Sequence, residues 1–151
     1  MNQRYIQRLH KLFFFQPGVD FAIDVLNHGH WLHLYPEGKV NLTKQEMRIK
    51  WGIGRAISES KKLPIVIPIY HLGMDSILPN KYPYIPHFGQ KVTVIVGTPI
   101  KLEETLQDLK NSNASPLEMR LKITELIQKQ LFSLRTTAEI YHAKHLSGGW
   151  K

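Results

Sequence analysis

A turn that combines an acid, a glycine and a base follows an apolar segment near residue 35. The stretch HWLHLYPEGKVN predicts a short buried strand over residues 31–35 that stops at Pro-Glu-Gly-Lys, residues 36–39. Such a turn, after a buried strand of an α/β sheet, is where ligands usually bind. Lys39 suits a phosphate, Gly38 can present its backbone N–H, and Glu37 can accept from a hydroxyl group. An ordinary solvated turn fits the same letters, so both interpretations stay open.

Further basic residues follow this turn. Residues 47–60, MRIKWGIGRAISES, have the spacing of a helix, on which Arg48 and Arg55 share one face and Lys50 is displaced from it. Together with Lys39, these side chains could surround an anionic head group. A solvated helix face is the alternative.

Other chemistry finds little support in the residue types. His28, His30 and His33 fall close together, but on a strand the last two point to opposite faces, and no HExxH spacing occurs. No metal site is therefore predicted. The absence of cysteine excludes thiolate chemistry, no G-x-S-x-G elbow is present, and no cofactor is predicted.

The composition fits one domain with a basic surface. The chain has 151 residues, a net charge of +8 and a sequence pI near 9.7. That balance favours anionic partners such as nucleic acid, an anionic membrane surface or phosphorylated small molecules. The basic residues are spread along the chain without a nucleic-acid-binding motif, so no nucleic acid is predicted as a partner.

The first fifteen residues form a separate basic segment. They hold Arg4, Arg8 and Lys11 and no acid, with apolar residues at helical spacing between them. An amphipathic helix on an anionic bilayer, or an organelle-targeting segment, is one interpretation. A first core helix with a basic outer face is the other.

The elements that position these residues alternate between helix and strand. A helix after Pro17 should end at residues 27–29, where Gly supplies a left-handed cap. Residues 63–70 and 91–97 are β-branched runs, and the first should be covered on both faces. Ser115, Pro116 and Glu118 predict the start of a long amphipathic helix that runs to Ser147. This order predicts an α/β layered domain.

An irregular loop separates the two strands. Residues 71–90 contain several prolines and aromatic residues: Pro79, Tyr82, Pro83, Tyr84, Pro86 and Phe88. The loop is expected either to fold onto the core or to form a lid or a bilayer-facing surface.

Four blocks of the sequence resemble a known family. VLNHGHWLHLYPEGKVN, RIKWGIGRAI, PIVIPIYHLGMDSILPN and FGQKVTVIVGTPI are similar, in order and spacing, to blocks of the glycerophospholipid acyltransferase family. The resemblance covers roughly residues 16–145 and is strongest to mitochondrial transacylases of that family.

This resemblance implies an acyltransferase-type domain over residues 16–146, with a central sheet flanked by helices and a flexible tail at 147–151. It implies transfer of an acyl chain from a phospholipid to a lysophospholipid hydroxyl, in cardiolipin remodelling without acyl-CoA. It also implies peripheral association with the inner or outer mitochondrial membrane on the intermembrane-space side.

In the same family the turn that matches residues 35–39 binds the acceptor, and its Glu and Gly are thought to engage the glycerol-phosphate. The run that matches residues 64–68 is assigned to the donor side or to the core. The predicted substrate-binding residues of this chain, which combine the family motif with the basic cluster, are Glu37, Gly38, Lys39, Arg48 and Lys50.

One family block has no match. Family members carry a His followed, after four residues, by an Asp, and the pair acts as general base on the acceptor hydroxyl. No histidine of this chain has an acid five positions on, and His71 and Asp75 are one residue too close. The expectation is an N-terminally truncated domain that is inactive alone and self-associates through exposed sheet. A non-catalytic module that binds anionic lipid or a partner is the alternative.

Overall fold

The computed structural model describes residues 17–43 and 45–149. These ranges hold five helices and two strands: α1 Pro17–Asn27, α2 Gly52–Ser58, β1 Ile69–Leu72, α3 Met74–Ile77, β2 Thr93–Val96, α4 Glu103–Asn111 and α5 Pro116–Leu146. The chain forms two compact units. Of the described residues, the first contains 17–36, Lys50–Pro64 and Glu103–Thr124. The second contains the described residues of Glu37–Ile49, together with Ile65–Leu102 and 125–149.

Helix α1 ends as predicted. The backbone N–H of His28 donates to the carbonyl of Asp24 at 3.1 Å, and Gly29 follows with a φ of 78°. A left-handed glycine after the last turn lets the chain leave the helix without Cβ strain. The predicted basic helix within residues 1–15 lies outside the described residues.

The predicted strand over residues 31–35 is wrong. These residues form neither helix nor strand, and the side chains of Trp31 and Tyr35 are 98% and 69% exposed. An apolar run forms a strand only where a neighbouring chain segment pairs with its backbone. No such ladder partner occurs in the part of the chain that the structure describes.

The predicted helix over residues 47–60 is only half right, because α2 begins at Gly52. Before it, the backbone N–H of Ile49 donates to the Gln128 side chain, and that of Lys50 donates to the carbonyl of Pro36. These tertiary bonds hold residues 49 and 50 in a non-helical path. The prediction that Arg48 and Arg55 share a helix face is therefore wrong, because Arg48 lies outside α2.

A close packing contact centres on Gly54 in the first unit. A Cβ at Gly54 would collide with the backbone oxygen of Arg120 and lie 2.5 Å from Oγ1 of Thr124. The hydroxyl of Thr124 donates to that same Arg120 carbonyl at 2.7 Å. Ala56 and Ile57 are buried on the same helix. Only glycine allows the backbones to approach this closely.

Strands β1 and β2 pair antiparallel, with Ile69 opposite Val96 and Tyr70 opposite Ile95. The face that carries Tyr70 packs on α5, where Thr93 Oγ1 and His142 Nδ1 lie 3.0 Å apart. On the other face Ile69 and Val96 are 44% and 63% exposed. The prediction that this strand is covered on both faces is therefore wrong for the described residues.

Helix α5 begins and ends as predicted. The Glu118 carboxylate accepts from the backbone N–H and the hydroxyl of Ser115, each at 2.7 Å, and the Ser115 hydroxyl accepts from the Glu118 N–H. This is the reciprocal capping box. At the other end, the Lys91 ammonium donates to the carbonyl of His145 at 2.7 Å, and Gly148 has a φ of 76°.

Helices combined with a small antiparallel sheet agree with the predicted α/β class. No helix among residues 17–43 and 45–149 is both long and apolar enough to cross a membrane.

Candidate functional site

Four of the five predicted binding residues lie on one irregular loop of the second unit. We call residues 37–49 the site loop; it carries Glu37, Gly38, Lys39 and Arg48. The backbone N–H of Lys50 donates to the carbonyl of Pro36 at 2.7 Å, which brings the two ends of the loop together. Compact loops with adjacent ends, known as Ω-loops, frequently carry function. Lys50, the fifth predicted residue, belongs to the first unit.

The turn at the start of the site loop has the backbone that its sequence predicts. Gly38 has a φ of 66°, a conformation that other residues rarely adopt, and its backbone is exposed. Lys39 and Arg48 are also exposed, whereas Glu37 is half-buried. The side chains of Lys39 and Arg48 are therefore presented to solvent, and the Glu37 carboxylate is held closer to the protein.

The other arginine of the predicted basic cluster does not take part. Arg55 lies in the first unit, where its guanidinium donates to the carboxylate of Asp20 at 2.6 Å and to that of Glu59 at 3.1 Å. Its side chain is 14% exposed. With two carboxylates bound, Arg55 is a structural residue, and its predicted contribution to an anion site is wrong.

Helix α5 anchors the site loop. The backbone N–H of Ile49 donates to Oε1 of Gln128 at 2.9 Å, and the Ile49 side chain is only 1% exposed. A second, looser tie joins Arg135 Nη1 to the Glu46 carboxylate at 3.9 Å. Arg135 Nε also donates to Glu139 at 2.7 Å. Gln128 therefore fixes one end of a loop that has no regular secondary structure.

Side-chain bonds shape the middle of the site loop. The Asn41 amide donates to the carbonyl of Gln45 at 2.6 Å, and the Thr43 hydroxyl donates to Oδ1 of Asn41 at 3.2 Å. The Gln45 backbone N–H also donates to the Thr43 hydroxyl at 3.5 Å, and such side-chain bonds to nearby backbone stabilise turns. The loop is therefore built by its own polar residues.

The carboxylate of the turn lies in a mixed electrostatic environment. Burial raises the pKa of Glu37, and attraction by His71 acts in the opposite direction. Burial also raises the pKa of the Tyr70 hydroxyl; Arg135 lowers it, and the nearby carboxylates, Glu37 among them, raise it. Strand β1 and the site loop are therefore close enough to interact through their charges.

His71 is the residue that sequence reasoning missed as a neighbour of Glu37. The two lie far apart in sequence, and no motif links them. Only the fold brings the imidazole into electrostatic range of the turn carboxylate.

The described geometry fits anion binding better than metal binding. No group of three His, Asp or Glu side chains within the described ranges could hold a metal ion. An exposed lysine and arginine beside a glycine with an open backbone can bind a phosphate, and a half-buried carboxylate can accept from a neighbouring hydroxyl.

Comparison with known proteins identifies relatives of the chain. The chain is 40% identical to tafazzin of Drosophila melanogaster over 152 residues, which cover 91% of this chain and 40% of that protein. It is 34% identical over 103 residues to a Dictyostelium discoideum protein named taffazin, covering 66% of this chain and 36% of the relative.

An N-acylphosphatidylethanolamine synthase of Arabidopsis thaliana is 36% identical over 95 residues, covering 59% of this chain and 34% of the relative. No protein-family model matches the chain. The chain thus spans 40% or less of the length of these relatives.

These relatives show the class of protein: the chain is related to phospholipid acyltransferases, as the resemblance of its four sequence blocks predicted. Within that class, the chain is a relative of the tafazzins, and it aligns with the Drosophila tafazzin over nine-tenths of its own length.

Proposed function

We propose that this chain forms the acceptor-binding part of a tafazzin-type transacylase, with a layered acyltransferase arrangement of sheet and helices. The site loop binds the phosphate of a lysophospholipid through Lys39, Arg48 and the exposed backbone of Gly38. Glu37 accepts a hydrogen bond from a hydroxyl of the same lipid. The observation that carries the proposal is the closed loop that presents these groups together.

The four sequence blocks that resemble the family imply cardiolipin and its lyso form as the lipids concerned, and the anionic phosphates of these lipids suit a chain with a net charge of +8. The tafazzin relatives also support a mitochondrial location with peripheral attachment to the inner or outer membrane. Lys50 contributes through long-range attraction to the anionic membrane surface rather than through the loop.

The polypeptide of residues 1–151 has no acyl-transfer activity of its own in this proposal. General base catalysis contributes typically about 10²- to 10⁴-fold, and the His-x-x-x-x-Asp pair that supplies it in the family is not found in these residues. Although His71 lies in electrostatic range of Glu37, it does not have the family spacing to an aspartate.

Vesicle sedimentation tests the binding part of the proposal. The purified chain is mixed with phosphatidylcholine vesicles with and without cardiolipin, at low and high salt. A Lys39→Ala/Arg48→Ala variant is compared with Lys110→Ala/Lys129→Ala, which removes the same charge from exposed lysines outside the site loop. At roughly 1 kcal/mol per basic residue at the surface, the first pair should weaken binding to cardiolipin vesicles about 30-fold.

The control pair should weaken binding much less. Equal losses in both double variants would show that binding arises from diffuse electrostatic attraction and not from the site loop. Absence of salt-sensitive binding by the wild-type chain would refute the proposal. A radiolabelled acyl-transfer assay tests the second part, because turnover above the buffer background would contradict an inactive chain.

A further inference from the structure

A loop between the two strands presents its aromatic side chains to solvent. We call residues 78–90 the aromatic loop. Every residue from 81 to 90 is exposed, and four of them are large hydrophobic or aromatic side chains: Tyr82 84%, Tyr84 62%, Ile85 59% and Phe88 94%. Such a contiguous set of exposed rings marks a surface that binds a partner.

The backbone of the aromatic loop is ordered by its own hydrogen bonds. The N–H of His87 donates to the carbonyl of Ile77 at 2.7 Å, and the N–H of Ile85 donates to that of Pro83 at 2.8 Å. The rings of Tyr82 and Tyr84 pack edge to face with centroids 6.4 Å apart. A surface built in advance loses little conformational entropy when it binds.

Both ends of the aromatic loop are fixed within the second unit. On one side a Cβ at Gly73 would collide with the backbone oxygen of Lys91, so the segments before and after the loop are in close contact. The Lys91 ammonium in turn donates to the carbonyl of His145 at the end of α5. The exposed rings therefore project from a loop whose two ends are fixed by packing and hydrogen bonding.

Charge indicates the kind of partner. Residues 76–102 contain no Asp or Glu, and they include Lys81, Lys91 and Lys101. Tyrosines combine an apolar ring with a polar hydroxyl, and this combination is enriched where proteins meet the head-group region of a bilayer. An acid-free, aromatic and cationic surface complements an anionic lipid bilayer.

We propose that the aromatic loop is the surface by which the second unit docks on an anionic bilayer. Tyr82, Tyr84, Ile85 and Phe88 enter the boundary between head groups and acyl chains, while Lys81 stays among the lipid phosphates. This docking rests on the proposed phospholipid-binding function and adds the contact surface that brings the site loop to its lipid.

Site-directed spin labelling tests the docking, because the chain has no cysteine and each label is therefore unique. Phe88→Cys places a label on the aromatic loop, and Ile140→Cys places one on α5, where Ile140 is 64% exposed. Accessibility to oxygen and to a water-soluble nickel complex is measured with and without phosphatidylcholine–cardiolipin vesicles.

On vesicles, the label at 88 should gain oxygen accessibility and lose nickel accessibility, while the label at 140 should keep its aqueous values. In sedimentation, Tyr82→Ala/Phe88→Ala should weaken binding about tenfold. If the wild-type chain binds vesicles but the accessibility of the label at 88 does not change, the docking surface alone is overturned. If the wild-type chain does not bind vesicles, the docking surface and the proposed function are both overturned. Immobilisation of the label at 88 without vesicles would assign the loop to a second copy of the chain and overturn the lipid contact.

Discussion

Basic residues occupy two different environments in this chain. In the first unit, Arg55 and Arg120 are 14% and 15% exposed, and both bind the Glu59 carboxylate, with Asp20 as a further partner of Arg55. In the second unit, Lys39 and Arg48 are exposed on an irregular loop. The same type of charge is thus bound to carboxylates in the first unit and exposed to solvent in the site loop, where we propose that it binds a ligand.

The backbones of the two units differ in the same way. Gly54 of the first unit allows two elements to pack without a gap, whereas Gly38 of the second unit turns an exposed loop. We therefore expect substitutions in the first unit to act on stability and substitutions in the site loop to act on binding.

The largest expected effect is that of Gly54→Ala. The added methyl would collide with the Arg120 carbonyl and crowd the Thr124 hydroxyl, so the helices must separate. Overpacking of this kind costs about 3 kcal/mol. Urea unfolding followed by circular dichroism measures the loss. Gly18→Ala, with open space around its Cβ, is the control and should leave stability unchanged or slightly higher. Similar midpoints for both variants would contradict close packing at Gly54.

Local features of the sequence were enough to predict the ends of the helices. The capping box at Ser115 and Glu118 and the glycines after α1 and α5 act through neighbouring residues, so the pattern contains all the information needed. The turn at Gly38 follows the same logic, because its left-handed backbone requires glycine.

Non-local contacts account for what the sequence did not predict. Apolar side chains at 31–35 and 65–69 suggested burial, but burial depends on which elements pack over them, and Trp31 and Ile65 remain 98% and 80% exposed. The anchor of the site loop is similarly hidden, since Gln128 lies 79 positions from Ile49. A lone glutamine on a helix carries no signal of such a bond.

The second prediction compares the mostly buried Arg55 with the exposed Arg48. Arg55→Ala leaves Asp20 and Glu59 without the guanidinium they share, and stability should fall by about 1 to 2 kcal/mol, less than for a fully buried pair because water reaches both carboxylates. Arg48→Ala, its matched control, should change stability by less than about 0.5 kcal/mol. Thermal unfolding measures both.

Vesicle sedimentation then completes this comparison. Arg48→Ala should weaken binding to cardiolipin vesicles, and Arg55→Ala should not, at temperatures where both variants are folded. The reverse order would mean that the partly buried ion pairs, rather than the displayed charges, determine lipid affinity.

The smallest expected effect concerns the one carboxylate of the site loop's turn. Burial raises the pKa of Glu37, so ionisation of this group disfavours the folded state, and its contribution to stability is lost as pH rises through the folded-state pKa. Glu37→Gln removes this titration and should unfold at a slightly higher temperature than wild type near neutral pH, with no difference in mild acid. Glu103→Gln, on the exposed start of α4, is the control. A lower midpoint for Glu37→Gln at neutral pH would show that the attraction of His71 for the carboxylate outweighs burial, and the turn would then be held in place by the same kind of charge pairing that stabilises the first unit.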